Sequence, residues 1–130
     1  MRLVKDVLND IDQFNPVNGN WLRLEELFDE LWKSGQPRKE IESALSVFEK
    51  FPEEDGSGVF WTLLHRIETL DYEQKLYDSL KSRPSMMTLI MLSRIEKSGT
   101  DTIAGNPINE LKNLIKSNPE TSPVLLDILM

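Results

Sequence analysis

Apolar residues recur along this chain at spacings of three and four, the period of an amphipathic helix, while the alternation of a half-buried strand is almost absent. Leu3, Val4, Val7, Leu8, Ile11 and Phe14 make a first stripe, ended by Asn15-Pro16. Asn20 is placed to cap a second helix that carries Trp21, Leu24, Leu27, Phe28, Leu31 and Trp32 and stops near Ser34-Gly35. Pro37 suits the first turn of a third, with the stripe Ile41, Ala44, Leu45 and Phe48, and the run Pro52 to Gly58 breaks it. A fourth helix is expected over 59–70, a fifth over 72–82 with Leu76, Tyr77 and Leu80 inward, and a sixth over about 85–97. Asn106-Pro107 and Ser122-Pro123 read as cap-plus-proline starts of two short final helices. The fourth and sixth are apolar nearly all round, the mark of buried helices, so they are expected at the centre. Two of the three tryptophans are expected in the core.

Taken in pairs, these helices begin near residues 2, 38, 72 and 107, at intervals of 36, 34 and 35. Stacked helical hairpins give such a spacing. A short echo accompanies it: Leu64-His65-Arg66-Ile67-Glu68 returns 28 residues later as Leu92-Ser93-Arg94-Ile95-Glu96. The expected fold is therefore all-α, one domain over 1–130, an array of about eight helices in antiparallel hairpins with HEAT-like layering. The glycine-containing segments at 34–36, 55–58 and 98–106 read as interhelical loops.

Charge narrows the function. The 22 acids outnumber the 15 bases, for a formal net charge of −7. Such a surface repels phosphates, which argues against a nucleic-acid partner and favours a basic protein surface. The acidity is uneven: residues 1–55 hold 13 acids and 7 bases, residues 56–130 hold 9 and 8. The chain has no cysteine, so disulfide and thiolate chemistry are absent, as is common in the cytosol. Neither a signal peptide's apolar segment nor a membrane-length apolar run is seen, and a cytoplasmic location is expected.

The stretch Phe51-Pro52-Glu53-Glu54-Asp55-Gly56-Ser57-Gly58-Val59-Phe60-Trp61 looks most like a site. A calcium loop aligned on Gly58 would need an acid at its twelfth position, and Leu64 stands there. A phosphate cradle lacks the lysine and hydroxyl of a P-loop, and three acids precede it. A helix start fits better: Asp55 or Ser57 as cap, acids near the positive helix end, and glycines for unusual dihedrals. His65, the only histidine, has Glu68 three residues on and could be oriented by it as a general base. Without a nucleophile such a residue is more often a hydrogen-bonded core histidine. No catalytic residue, cofactor or metal is assigned, and the chain is read as a binder, not an enzyme.

Acids on the polar faces are the candidate contacts. Glu25, Glu26, Asp29 and Glu30 fall in two i, i+4 pairs opposite the Trp21–Trp32 stripe. Like charges at that spacing cost a helix a few tenths of a kcal/mol, so the concentration invites a use. Glu42 and Glu49 share a polar face of the third helix, which leads to Glu53, Glu54 and Asp55. A solvated surface accounts for the same acids equally well.

The segment 49–99 resembles a family of bacterial immunity proteins from polymorphic toxin systems of the contact-dependent inhibition or Rhs type. The resemblance rests on the Phe51–Trp61 stretch with its Gly-x-Gly-Val-Phe-Trp core, on His65 and Glu68, and on Arg83-Pro84-Ser85 and Leu92-Ser93-Arg94-Ile95. The residue after His65 is often small in such sequences, whereas here it is Arg66. The resemblance implies a small cytosolic binder that blocks the active site of a cognate toxin C-terminal domain, in many cases a nuclease with a basic surface. It carries no shared set of contact residues. Two other readings stay open: a helical-repeat adaptor that takes an amphipathic peptide or protein partner in a groove, and a His65-dependent enzyme.

Overall fold

Each apolar stripe of the sequence becomes a helix, and the helices stack in two rows. The computed structural model describes residues 3–129. Its elements run α1 (Val4–Gln13), α2 (Leu22–Lys33), α3 (Pro37–Lys50), α4 (Val59–Ile67), α5 (Glu73–Ser82), α6 (Met86–Lys97), β1 (Thr102–Ile103), β2 (Asn106–Pro107), α7 (Ile108–Ser117) and α8 (Pro123–Leu129). A 3₁₀ turn over Gly56–Gly58 leads into α4. In one row α1 packs on α3, α3 on α5 and α5 on α7; in the other α2 packs on α4, α4 on α6 and α6 on α8. The hairpin partners α1–α2, α3–α4 and α5–α6 join the rows. The chain is thus all-α apart from one small hairpin.

The odd helices begin at Val4, Pro37, Glu73 and Ile108, intervals of 33, 36 and 35. The even helices begin at Leu22, Val59, Met86 and Pro123, intervals of 37, 27 and 37. The short middle interval arises because residues 51–58 connect α3 to α4, whereas only 83–85 connect α5 to α6. It also explains why the echo recurs after 28 residues: its two copies occupy nearly the same turn of α4 and α6.

Phe28, Phe48, Phe60, Leu64, Ile67, Leu76, Leu80 and Met87 are among the fully buried side chains. Burial of each contributes about 1.5–3 kcal/mol. α4 and α6 supply much of this core, as their composition predicts. Ser85 and Thr88 form a capping box at the start of α6, with the Thr88 amide donating to Ser85 Oγ at 3.1 Å and the Ser85 amide to Thr88 Oγ1 at 2.9 Å. Asn20 does not cap α2: the cap position falls on Trp21, which makes no side-chain cap bond, and Asn20 one residue earlier accepts from the Leu22 amide at 3.0 Å in a local turn.

Four further expectations need correction. Asn106-Pro107 does not open a helix but forms β2, paired antiparallel with β1 across Ala104 and Gly105, and α7 starts one residue later. Both turn residues have positive φ, 50° and 81°, the geometry of a tight hairpin turn, and Ile103 is thereby buried. α4 ends at Ile67, not Leu70, because Thr69 and Leu70 donate to Arg66 and Ile67 in tightened i→i+3 turns. Only Trp21 of the three tryptophans is buried; Trp32 and Trp61 are 43% and 36% exposed. His65 is no core residue: its side chain is 61% exposed.

Candidate partner-binding face

The residues 51–61 build a joint between helical hairpins. Trp21, at the start of α2, lies with its ring 5.1 Å from that of Phe51, 5.2 Å from Phe60 and 5.8 Å from Phe14. The contacts with Phe51 and Phe60 are edge-on, and aromatic pairs of this kind add about 0.5–1.5 kcal/mol to the area they bury. Lys50 Nζ donates to the carbonyls of Asp12 and Phe14, so the end of α3 also caps the end of α1. The Pro52 carbonyl accepts from the Met86 amide at 2.7 Å and ties in the start of α6. One connection therefore ties three hairpins together.

Its glycines answer to geometry. Gly56, Ser57 and Gly58 all have positive φ, at 61°, 53° and 93°. A Cβ on Gly56 would lie 2.6 Å from Cδ1 of Phe60, so the backbone must be bare for that ring to seat. Asp55 Oδ1 accepts from the Ser57 amide at 3.0 Å and so caps the 3₁₀ turn, while α4 itself starts after Gly58 with no side-chain cap, so neither Asp55 nor Ser57 caps that helix. Glu53, Glu54 and Asp55 are left exposed at the tip.

The nine candidate acids do not form one patch. Glu42 pairs with Lys75 at 3.0 Å, and Glu49 accepts from Ser79 Oγ at 2.7 Å, so both tie α3 to α5 within the odd row. Asp29 is ion-paired to Arg66 of α4. Glu30 is exposed on α2. Glu25, Glu53 and Glu54 form no ion pair among the described residues, and Glu26 has only Arg23 at 4.0 Å. Trp21 links this remainder: Glu25 stands one turn beyond it on α2, and Glu53 and Glu54 follow its ring partner Phe51 by two and three residues. Glu25, Glu26, Glu53, Glu54 and Asp55 thus lie on the two chain segments that the Trp21–Phe51 contact joins.

Basic residues that the sequence reading passed over link successive helices of the even row and tie it to α7. Arg66 on α4 reaches back to Asp29 on α2. Arg94 on α6 reaches back to Glu68 just past α4, with Nε and Nη2 donating at 2.7 and 3.0 Å. Lys112 on α7 in turn meets Glu96 at 2.7 Å. The echo Leu-x-Arg-Ile-Glu is therefore the trace of a ladder of ion pairs, and was the available signal for Arg66 and Arg94. Glu40 was missed altogether, although it stands one turn before Ala44 in the phase of the buried stripe. It is 2% exposed, and burial raises its pKa from 4.5 to about 7 against the pull of Arg66.

The two exposed tryptophans lie on the same row. Trp32 covers the Arg66 guanidinium at 5.6 Å, and Trp61 packs against His65 at 6.2 Å. Trp61, Ile90 and Ile128 border a groove of about 410 Å³ with Arg94, Lys97 and Lys112 at its edge. Nδ1 of His65 lies 3.8 Å from Glu68, whose carboxylate Arg94 engages with both oxygens. Among the described residues no three potential ligands gather as a metal site, and no helix is long and apolar enough to cross a membrane. Comparison with protein-family models, with curated proteins and with solved structures yields no match to this chain.

Proposed function

We propose that this chain is an immunity protein, a cytoplasmic binding module that docks on the basic surface of a cognate bacterial toxin domain and blocks its active site. The observation that carries the reading is the set of acids Glu25, Glu26, Glu53, Glu54 and Asp55 on the two segments joined by the Trp21–Phe51 contact, with little internal charge to neutralise them. They adjoin the 51–61 joint, whose residues also carry the resemblance to immunity proteins. A nuclease toxin presents cations shaped for phosphates, and carboxylates in register with them both steer encounter and occupy the site. Trp32 and Trp61 are the exposed aromatics available as anchors. The module performs no chemical step.

The test is co-expression with the variable C-terminal domain of a large secreted protein encoded beside it. Restored growth and co-purification of the two chains are expected. Continued toxicity, with both chains soluble, sinks the reading. The groove beside Trp61 favours the second reading, an adaptor for an amphipathic peptide. In that case substitutions at Ile90 and Ile128, and not at the acids, abolish partner binding.

A further inference from the structure

Side chains from three helices meet where α2 ends and α3 begins. Glu40 in the first turn of α3 is buried. Arg66 of α4 donates through Nη2 to Asp29 of α2. Its other terminal nitrogen, Nη1, lies 4.0 Å from Oε1 of Glu40, and both atoms are buried without a hydrogen-bond partner. Buried polar atoms are normally satisfied, and an orphan donor facing an orphan acceptor calls for an explanation. Here each is the other's missing partner, one short movement away. The Trp32 ring at 5.6 Å covers the guanidinium and restricts the directions in which it can turn.

We propose that Arg66 is a two-position arm, closed on Asp29 in the free protein and on Glu40 once a cationic partner takes Asp29, so that binding drives a proton off Glu40. The proposal rests on reading Glu25 and Glu26 as contacts for a basic partner and extends that face one turn along α2 to Asp29, whose side chain is 47% exposed. Charge balances: the partner's cation neutralises Asp29, Arg66 neutralises the new Glu40 carboxylate, and the proton leaves to solvent. The charged groups acting on Glu40 are Arg66 from α4 and Asp29 from α2. Lys33 at the end of α2 and Arg38 and Lys39 on α3 are exposed. Burial lifts the pKa of Glu40 to about 7, so the proton is present to be released near neutrality. Affinity for the cation is then highest above pH 7 and falls by up to about tenfold per pH unit below it.

The test is a carboxyl NMR titration of Glu40 in four proteins: the parent chain, Asp29→Asn, Arg66→Gln and the double variant. Asp29→Asn mimics a partner that has taken the carboxylate. With Arg66 present it is expected to bring the Glu40 midpoint from about 7 well toward 4.5. In the Arg66→Gln background the same change removes only the repulsion of Asp29 and lowers the midpoint by a few tenths of a unit. Equal falls in both backgrounds overturn the arm. If Arg66→Gln does not fold, Arg66→Lys, which lacks the forked head, takes its place in the cycle.

A hexa-arginine peptide supplies the cation for calorimetry at pH 7 in phosphate and in Tris. Different apparent heats in the two buffers are expected, and their loss in Asp29→Asn. Binding without buffer dependence overturns the arm. Absence of binding overturns the cationic face beneath it, while the titration cycle still decides the movement of Arg66.

Discussion

The indole of Trp21 meets the ring of Phe51 at 86° with 5.1 Å between centroids, and so fastens the start of α2 to the end of α3. Phe60 closes on the same indole from the start of α4 at 80°. Two rings from either side of the 51–61 connection thus grip one residue of the preceding hairpin. The acids at the tip of the connection are held in place by that grip, since Phe51 and Phe60 fix both ends of the loop that bears them.

Gly56→Ala tests the joint. The new methyl would meet Phe60 at 2.6 Å on a backbone with φ of 61°, and both effects oppose folding. A loss of about 2–4 kcal/mol in urea unfolding is expected. Gly58→Ala meets no atom within 4 Å and suffers only its φ of 93°, so about 1–2 kcal/mol is expected. Equal losses for the two would show that Phe60 does not set the requirement.

The tryptophans give an optical check on the fold. Trp21 is buried under Phe14, Phe51 and Phe60, while Trp32 and Trp61 reach solvent. Acrylamide is expected to quench most emission from the Trp21→Phe variant and little from the variant carrying both Trp32→Phe and Trp61→Phe. The opposite pattern would place the wrong indole in the core.

How far the sequence discloses this arrangement depends on what each residue's phase reports. The helical period locates the first six helices because burial on one side imposes it directly, whereas the last two are marked only by their proline-containing starts. The period says nothing of what a wide ring at the edge of a stripe will touch, which is why Trp32 reads as core and instead covers Arg66. Nor does it separate acids that face solvent from acids that face a cation on another helix. Glu42, Glu49 and Asp29 look like Glu25 and Glu26 in sequence and differ only through Lys75, Ser79 and Arg66. The Ala104-Gly105 turn stays hidden because alanine seldom takes a positive φ.

The acids on the segments joined by Trp21 and Phe51 predict a kinetic signature. Glu26→Lys together with Glu54→Lys reverses two exposed charges that serve no strong internal contact. Folding stability should change by less than about 1 kcal/mol. Association with a basic toxin domain should slow by about tenfold or more at low salt, and the difference should shrink as salt is added. Unchanged association in stopped flow, with folding intact, removes these acids from the interface.

Glu40 predicts a pH dependence of stability whose sign follows from burial. Its pKa stands near 7 in the folded chain against 4.5 for the ordinary side chain, so the native state holds the proton more tightly. Stability therefore falls as pH rises from about 4.5 to about 7 and levels off above, with about 1–3 kcal/mol lost from this group. Glu40→Gln keeps the shape and cannot ionise, so this contribution disappears. Urea unfolding at pH 5 and pH 8 should show the variant close to the parent chain at the lower pH and more stable at the higher. A parent chain and variant with the same change between the two pH values would mean that Glu40 ionises as freely in the folded chain as in the unfolded one.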